Sequence, residues 1–307
     1  MKKVIAIVLV LVFALAMFTG CKTDDSVNPK VLKVQLNPAG DLATMEAQRK
    51  PLQDLLSEKL GMDVEVTIAT NYNALVEAMS SAQIHVGMLA TTQYVIAADE
   101  GHAEAILKSL RYDVNDDGSN MTDKPLVGGY YSQLLVHKDS GITSVEELKG
   151  KRIAVASFGS TSGFVWPANL LADHGLNPET DVEWINAGGH DNAVLAIMNG
   201  EADAAFTFKD ARTSYFKDED NYQDIMDTCV FLMNTTIIPN DTICVIPTLD
   251  PKLKDKIKQA FLDISANEEE MAILYAVYEH LGYAEAVDSE YDQVREYLKR
   301  KDEWSFD

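Results

Sequence analysis

The run Arg152-Ile-Ala-Val-Ala-Ser-Phe-Gly-Ser-Thr-Ser-Gly-Phe-Val-Trp-Pro167 decides how this chain folds. Its first five residues form an apolar strand, and the pattern from Thr161 to about Ala172 predicts a helix. A strand running directly into a helix is the unit of an α/β sheet. Between the two lie three consecutive hydroxyls, Ser160, Thr161 and Ser162, framed by Gly159 and Gly163. They fall on the first helical turn, where N–H groups lack intrahelical partners and the helix dipole is positive. Such a turn receives an oxyanion, with the hydroxyls as added donors and the glycines allowing close approach. An ordinary Ser/Thr helix cap is the other reading of the same residues.

The alternation extends in both directions. Residues 31–36 alternate with period two, and Leu52, Leu55, Leu56 and Leu60 mark a helix face that Gly61 stops. Residues 63–68 form a second strand. Asn71 caps a helix carrying Leu75, Val76 and Met79, and 84–89 is another apolar strand. After a capping box at Ser144-Val-Glu-Glu147 the pattern restarts: strand 152–156, helix 161–172, strand 182–186, helix 191–199, strand 202–208. Two rounds of βαβ predict parallel strands covered by helices. The strand-like stretches 130–137 and 236–246 carry no helix and are expected to cross between two lobes. Lobe one would then comprise 31–134 and 238–307, and lobe two 135–237. The segment after Pro251 is largely helical and acidic and would return to brace lobe one.

The first twenty residues carry a targeting signal. Lys2 and Lys3 precede an apolar run from Val4 to Phe18. Phe18-Thr-Gly-Cys21 has the form of a bacterial lipobox, so Cys21 is expected to be lipidated, with 21–30 as a polar tether. An exported protein anchored at the outer face of the cell membrane or in the periplasm follows. Over the full chain 26 basic residues stand against 48 acidic ones, a net charge of −22. Without residues 1–20 it is 24 against 48, or −24. A surface this acidic repels nucleic acid and anionic membranes, so any bound anion must be held by local dipoles. Cys229 and Cys244 lie in apolar runs and read as buried small hydrophobes, although export would permit a disulfide.

A second strand-to-helix turn is Asn186-Ala-Gly-Gly-His190, which sets an imidazole at a helix start. Histidine can donate to an oxyanion and, if protonated, match its charge. Asp210 follows strand 202–208, Asp241 follows Pro239-Asn240, and Tyr72 and Tyr130 sit at loop edges. Sharper motifs fail. Gly159-Ser-Thr-Ser-Gly163 has threonine where a nucleophile elbow needs serine, and neither a Walker loop nor a Gly-x-Gly-x-x-Gly run is present. The run beginning at Asp113 opens like a calcium loop but has Lys124 at its twelfth position, where a bidentate Glu is required, so it reads as a turn. Tyr130 and Tyr131 point to opposite strand faces, against a ferric site.

Taken together, Ser160-Thr-Ser-Gly-Phe-Val-Trp-Pro167, Asn186-Ala-Gly-Gly-His190 and Ile237-Ile-Pro-Asn-Asp241 resemble the phosphonate/phosphite-binding subunits of ABC importers. Asn71-Tyr-Asn-Ala-Leu-Val-Glu-Ala-Met79 and Gly129-Tyr130 extend the resemblance over essentially the whole mature chain. It implies a type II periplasmic-binding fold: α/β, two lobes of mixed sheets flanked by helices, and a two-strand hinge. It also implies a monomer that closes on its ligand and delivers it to a permease, with no cofactor and no metal. The family's phosphonyl contacts carry onto Ser160, Thr161, Ser162, His190 and Tyr130. Its amine contacts, where the ligand is an aminoalkylphosphonate such as 2-aminoethylphosphonate, carry onto Tyr72, Asp210 and Asp241. Asp210 stands where the family has Glu, Lys209 and Arg212 flank it, and Gly189 and Trp166 depart from the pattern. Phosphite, phosphate or a sulfonate is the alternative ligand. A secreted serine hydrolase using Ser160 or Ser162 with His190 is the reading from a different class.

Overall fold

The computed structural model describes residues 26–38, 42–115, 119–278 and 280–305. The leader and Cys21 lie outside them, as does part of the tether. The six strands of the first sheet are β1 (Val31–Leu36), β2 (Asp63–Ile68), β3 (Val86–Leu89), β4 (Glu104–Leu110), β10 (Thr242–Val245) and β11 (Gly282–Glu285). Their order is β11-β4-β10-β3-β1-β2. β1 pairs in parallel with β2 and β3, and β10 runs antiparallel between β3 and β4. The second sheet contains β5 (Gly129–His137), β6 (Arg152–Val155), β7 (Glu183–Asn186), β8 (Ala204–Phe208) and β9 (Cys229–Pro239), in the order β7-β6-β8-β5-β9. β6 is parallel to β7 and β8, while β5 is antiparallel to β8 and β9. Both sheets are therefore mixed, and the fold is the two-lobed α/β type the resemblance implies. The strands that come from the other lobe, β5 and β10, run antiparallel to their neighbours, and so does β11 beside β4.

The helices are α1 (Leu42–Leu60), α2 (Tyr72–Ser80), α3 (Thr91–Asp99), α4 (Trp166–Asp173), α5 (His190–Met198), α6 (Ala211–Phe216), α7 (Tyr222–Thr228), α8 (Pro251–Ser265), α9 (Glu268–Tyr278) and α10 (Asp292–Lys301). Local chemistry sets several of their ends. Asn71 Oδ1 accepts from the Ala74 amide at 2.9 Å and caps α2. Gly61, at φ +58°, takes the left-handed conformation that ends α1. Of the capping box expected at Ser144 only one half is seen, Glu147 Oε2 accepting the Thr143 and Ser144 amides, and a single 3₁₀ turn with no side-chain cap follows it.

The sheets move the lobe boundary from its expected place. All of β5 pairs in the second sheet, so residues 129–134 belong to lobe two and the first crossing lies between Leu110 and Gly129. An antiparallel bridge between Arg111 and Val127 pins it. The second crossing is the short step from β9 to β10 at Asn240 and Asp241. Asn240 holds it by accepting from Tyr291 through its carbonyl and donating Nδ2 to the Ser109 carbonyl.

One large cluster forms the core of lobe one, and it contains two residues that follow the Ser160 turn, Val165 and Trp166. Trp166 packs edge-on against Tyr297 of α10, with ring centroids 4.8 Å apart. Arg300 of α10 also pairs with Asp173 of α4, and Tyr297 O accepts from Asn169. The C-terminal helix thus spans both lobes instead of bracing lobe one alone. Cys229 and Cys244 are free, buried, and on different sheets. No described helix is long and apolar enough to cross a membrane.

Candidate functional site

The carboxyl ends of strands from both sheets face one cavity of about 280 Å³. Ser160, Thr161, Ser162, His190, Tyr130, Tyr72 and Asp241 all line it. Sequence separations of more than a hundred residues are thereby closed by the two crossings. Thr161–Val165 form one turn of π-helix rather than the start of a plain α-helix, and α4 follows from Trp166. Ser160 caps this turn, its Oγ accepting from the Gly163 amide at 3.0 Å. A Cβ on Gly163 would meet Ser160 Oγ at 2.9 Å and the Ala156 amide nitrogen at 3.2 Å. Glycine is required there by packing inside the turn, whereas Gly159 has nothing closer than 3.9 Å.

The three hydroxyls are nearly buried and differ in their contacts. Ser160 Oγ lies 3.4 Å from His190 Nε2. Thr161 Oγ1 meets Thr92 Oγ1 at 2.6 Å and accepts from the Thr92 amide at 3.2 Å, a contact across the lobes. Gln93 adds a second one, donating Nε2 to the Gly159 carbonyl at 3.1 Å. The Ser162 carbonyl accepts from Ser132, and the Tyr130 hydroxyl hydrogen-bonds Thr91 and Ser162. The N-termini of α2, α3, α5 and the π-turn all open at or beside the cavity, through Tyr72, Ala90, His190 and Thr161. Their dipoles supply positive potential without a formal charge.

His190 is buried against Phe208, ring centroids 5.0 Å apart. Burial pushes its pKa down to about 4, so the ring is neutral at pH 7 and does not contribute the charge that a protonated imidazole would. Its pKa lies below the unfolded value, so its stabilising contribution is complete above about pH 6.5 and is lost as pH falls towards 4. Between pH 8 and pH 5 the protein should lose about 2 kcal/mol of unfolding free energy that a His190→Asn variant keeps. Denaturant titrations at both pH values check this; equal losses in the two proteins would contradict it.

Asp210 is where the structure departs from the expectation. It caps α6 through Oδ1, and both its oxygens are taken by Arg212, at 3.1 Å from Nε and 2.7 Å from Nη2. The side chains are 0 % and 3 % exposed, and Asp210 does not line the cavity. A carboxylate so paired is a structural ion pair and no amine ligand. Its engagement also leaves a Ser160–His190–Asp210 triad unassembled, and His190 Nδ1 has no partner among the described residues. Asp241 does face the cavity. Burial raises its pKa, opposed by the Arg111 charge and the Thr91 amide.

Sequence reasoning missed Arg111, Phe208, Tyr215 and Tyr278, which also line the cavity. Arg111 directly follows β4, so its place at a strand's carboxyl end was a usable signal. Its guanidinium carbon lies 5.2 Å from the Tyr130 ring centroid. Tyr278 arrives from the end of α9 and donates to the Asn37 carbonyl at 2.8 Å, a contact no local pattern indicates. Among the described residues no cluster of three or more metal-ligating side chains occurs.

Comparison with known proteins agrees with this geometry. A family model described as "ABC transporter, phosphonate, periplasmic substrate-binding protein" matches residues 34–291. The phosphate-import protein PhnD of Mycolicibacterium smegmatis is 27% identical over 283 residues, covering 87% of this chain and 84% of its own. The phosphonates-binding periplasmic protein of Escherichia coli K12 is 26% identical over 246 residues, covering 78% and 67%. Among solved structures, a binding-protein component of a phosphonate ABC transporter from Pseudomonas aeruginosa superposes with a TM-score of 0.73 at 18% identity, covering 89% of this chain and 86% of that one.

Proposed function

Because the chain belongs to the periplasmic phosphonate-binding proteins of ABC transporters, we propose that its cleft takes an aminoalkylphosphonate, with 2-aminoethylphosphonate as the reference ligand. The phosphonyl group rests on Ser160, Thr161, Ser162, His190 and Tyr130. The amine rests on Asp241, beside Tyr72 and Tyr278. One observation carries this reading: the Ser160–Ser162 hydroxyls, His190 and the Asp241 carboxylate line the same cavity, so one ligand meets them all. Neutral hydroxyls and helix ends suit an oxyanion, and a buried carboxylate is stabilised by an ammonium group. The ligand is then handed to a permease, and the protein performs no chemistry on it. In the proposed cellular setting Cys21 carries the lipid that holds the protein at the membrane, and the protein acts as a monomer.

Calorimetry tests the amine. Asp241→Asn should weaken 2-aminoethylphosphonate by about tenfold or more, the worth of a charge-assisted hydrogen bond, and methylphosphonate much less. Equal losses for the two ligands would remove Asp241 from the amine subsite. Inorganic phosphate is the second reading. It is favoured by Asp210, which is already neutralised by Arg212, and by the nearness of Arg111 to Asp241. Phosphate displacing 2-aminoethylphosphonate at equimolar concentration would select it.

A further inference from the structure

Among the described residues the cavity contains one formal positive charge, which the aminoalkylphosphonate reading leaves unused. Arg111 lines it together with Asp241, and the two groups sense each other electrostatically. They do not form an ion pair with each other, and Arg111 Nε is buried with no hydrogen-bond partner among the described residues. The guanidinium is also positioned in advance. Its backbone is fixed by the antiparallel bridge to Val127, with N–H to O distances of 3.2 and 2.9 Å, and its side chain lies over the Tyr130 ring. A buried guanidinium N–H without an acceptor is costly, and a planar anionic group able to accept two parallel bonds relieves that cost best. The phosphonyl group is already served by the hydroxyl turn, His190 and the Tyr130 hydroxyl.

Two opposite charges, unpaired with each other, in the cavity that the Ser160–Ser162 turn also lines match a ligand that carries both an ammonium and a carboxylate. We infer that the ligand is an amino acid bearing a phosphonate. Its phosphonyl group lies on the Ser160–Ser162 turn, its ammonium on Asp241 and its carboxylate on Arg111. This rests on the aminoalkylphosphonate reading and narrows it. Size agrees: a cavity of about 280 Å³ leaves room for an added carboxylate on an aminoethylphosphonate skeleton. The preference also has a charge rationale. The added carboxylate meets Arg111 locally, while an unsubstituted 2-aminoethylphosphonate leaves that donor unsatisfied.

The test is calorimetric titration of the full mature chain with four ligands: methylphosphonate, 2-aminoethylphosphonate and the two enantiomers of 2-amino-3-phosphonopropionate. In the native protein one enantiomer should bind at least about tenfold more tightly than 2-aminoethylphosphonate. In Arg111→Met the ratio of those two affinities should fall to near one. A native protein that prefers 2-aminoethylphosphonate over both enantiomers overturns the inference and leaves the aminoalkylphosphonate reading standing. A native protein that prefers methylphosphonate over every aminated ligand overturns both. An undiminished ratio in a folded Arg111→Met variant removes Arg111 from the carboxylate subsite, and the native titrations decide the ligand class even if that variant does not fold.

Discussion

An Arg212→Ala variant should lose about 3–5 kcal/mol of unfolding free energy, a large share of the 5–15 kcal/mol typical of a folded protein. The loss follows from what remains. Asp210 is buried at the start of α6 with Arg212 as the partner of both its oxygens. Arg212 also donates to the Cys229 carbonyl at 2.6 Å, so the change leaves in the interior a carboxylate without its counter-charge, held only by the helix-cap amide, and a carbonyl without its donor. Replacing both charges, as Asp210→Asn with Arg212→Met, should cost far less, because no isolated charge is left behind. Urea titrations with an unchanged slope would establish both values. A single-variant loss under about 1 kcal/mol would show the pair to be dispensable.

The second large effect should come from Trp166→Ala. Trp166 is 1 % exposed and sits in the core cluster of lobe one, although it begins the helix that follows the hydroxyl turn of lobe two. Removing so large a buried ring costs about 3–5 kcal/mol. Affinity should fall too, although Trp166 does not line the cavity. Its ring on Tyr297 and its indole donation to Thr236 at 3.2 Å fix where the turn meets α3 of the other lobe. Weaker binding of methylphosphonate, together with a larger radius of gyration in X-ray scattering, would show that closure depends on this contact. Reduced stability with full affinity would confine Trp166 to the core.

Much of the site was legible because it is built from short-range chemistry. A cap, a glycine stop and an apolar period of two or 3.6 act within a few residues, so Asn71, Gly61, the Ser160 turn and His190 can be read along the chain. The lobe boundary was less legible. Residues 129–134 look like any crossing strand until their partners on β8 and β9 are known. The C-terminal helix likewise carries no local mark of the lobe two contacts that Tyr297 and Arg300 make.

Asp210 and Asp241 divide the two kinds of information most clearly. Each is an acid after an apolar strand or at a crossing, and each could have faced a ligand. The order of residues alone established the alternating strands and helices, the Ser160-capped hydroxyl turn and the excess of acidic charge, since these depend on neighbours within a turn or on total charge. Only the folded chain paired one acid with Arg212 and set the other beside Arg111 in the cavity. The fate of a buried charge depends on which counter-charge lies within a few ångströms, and chain folding decides that distance.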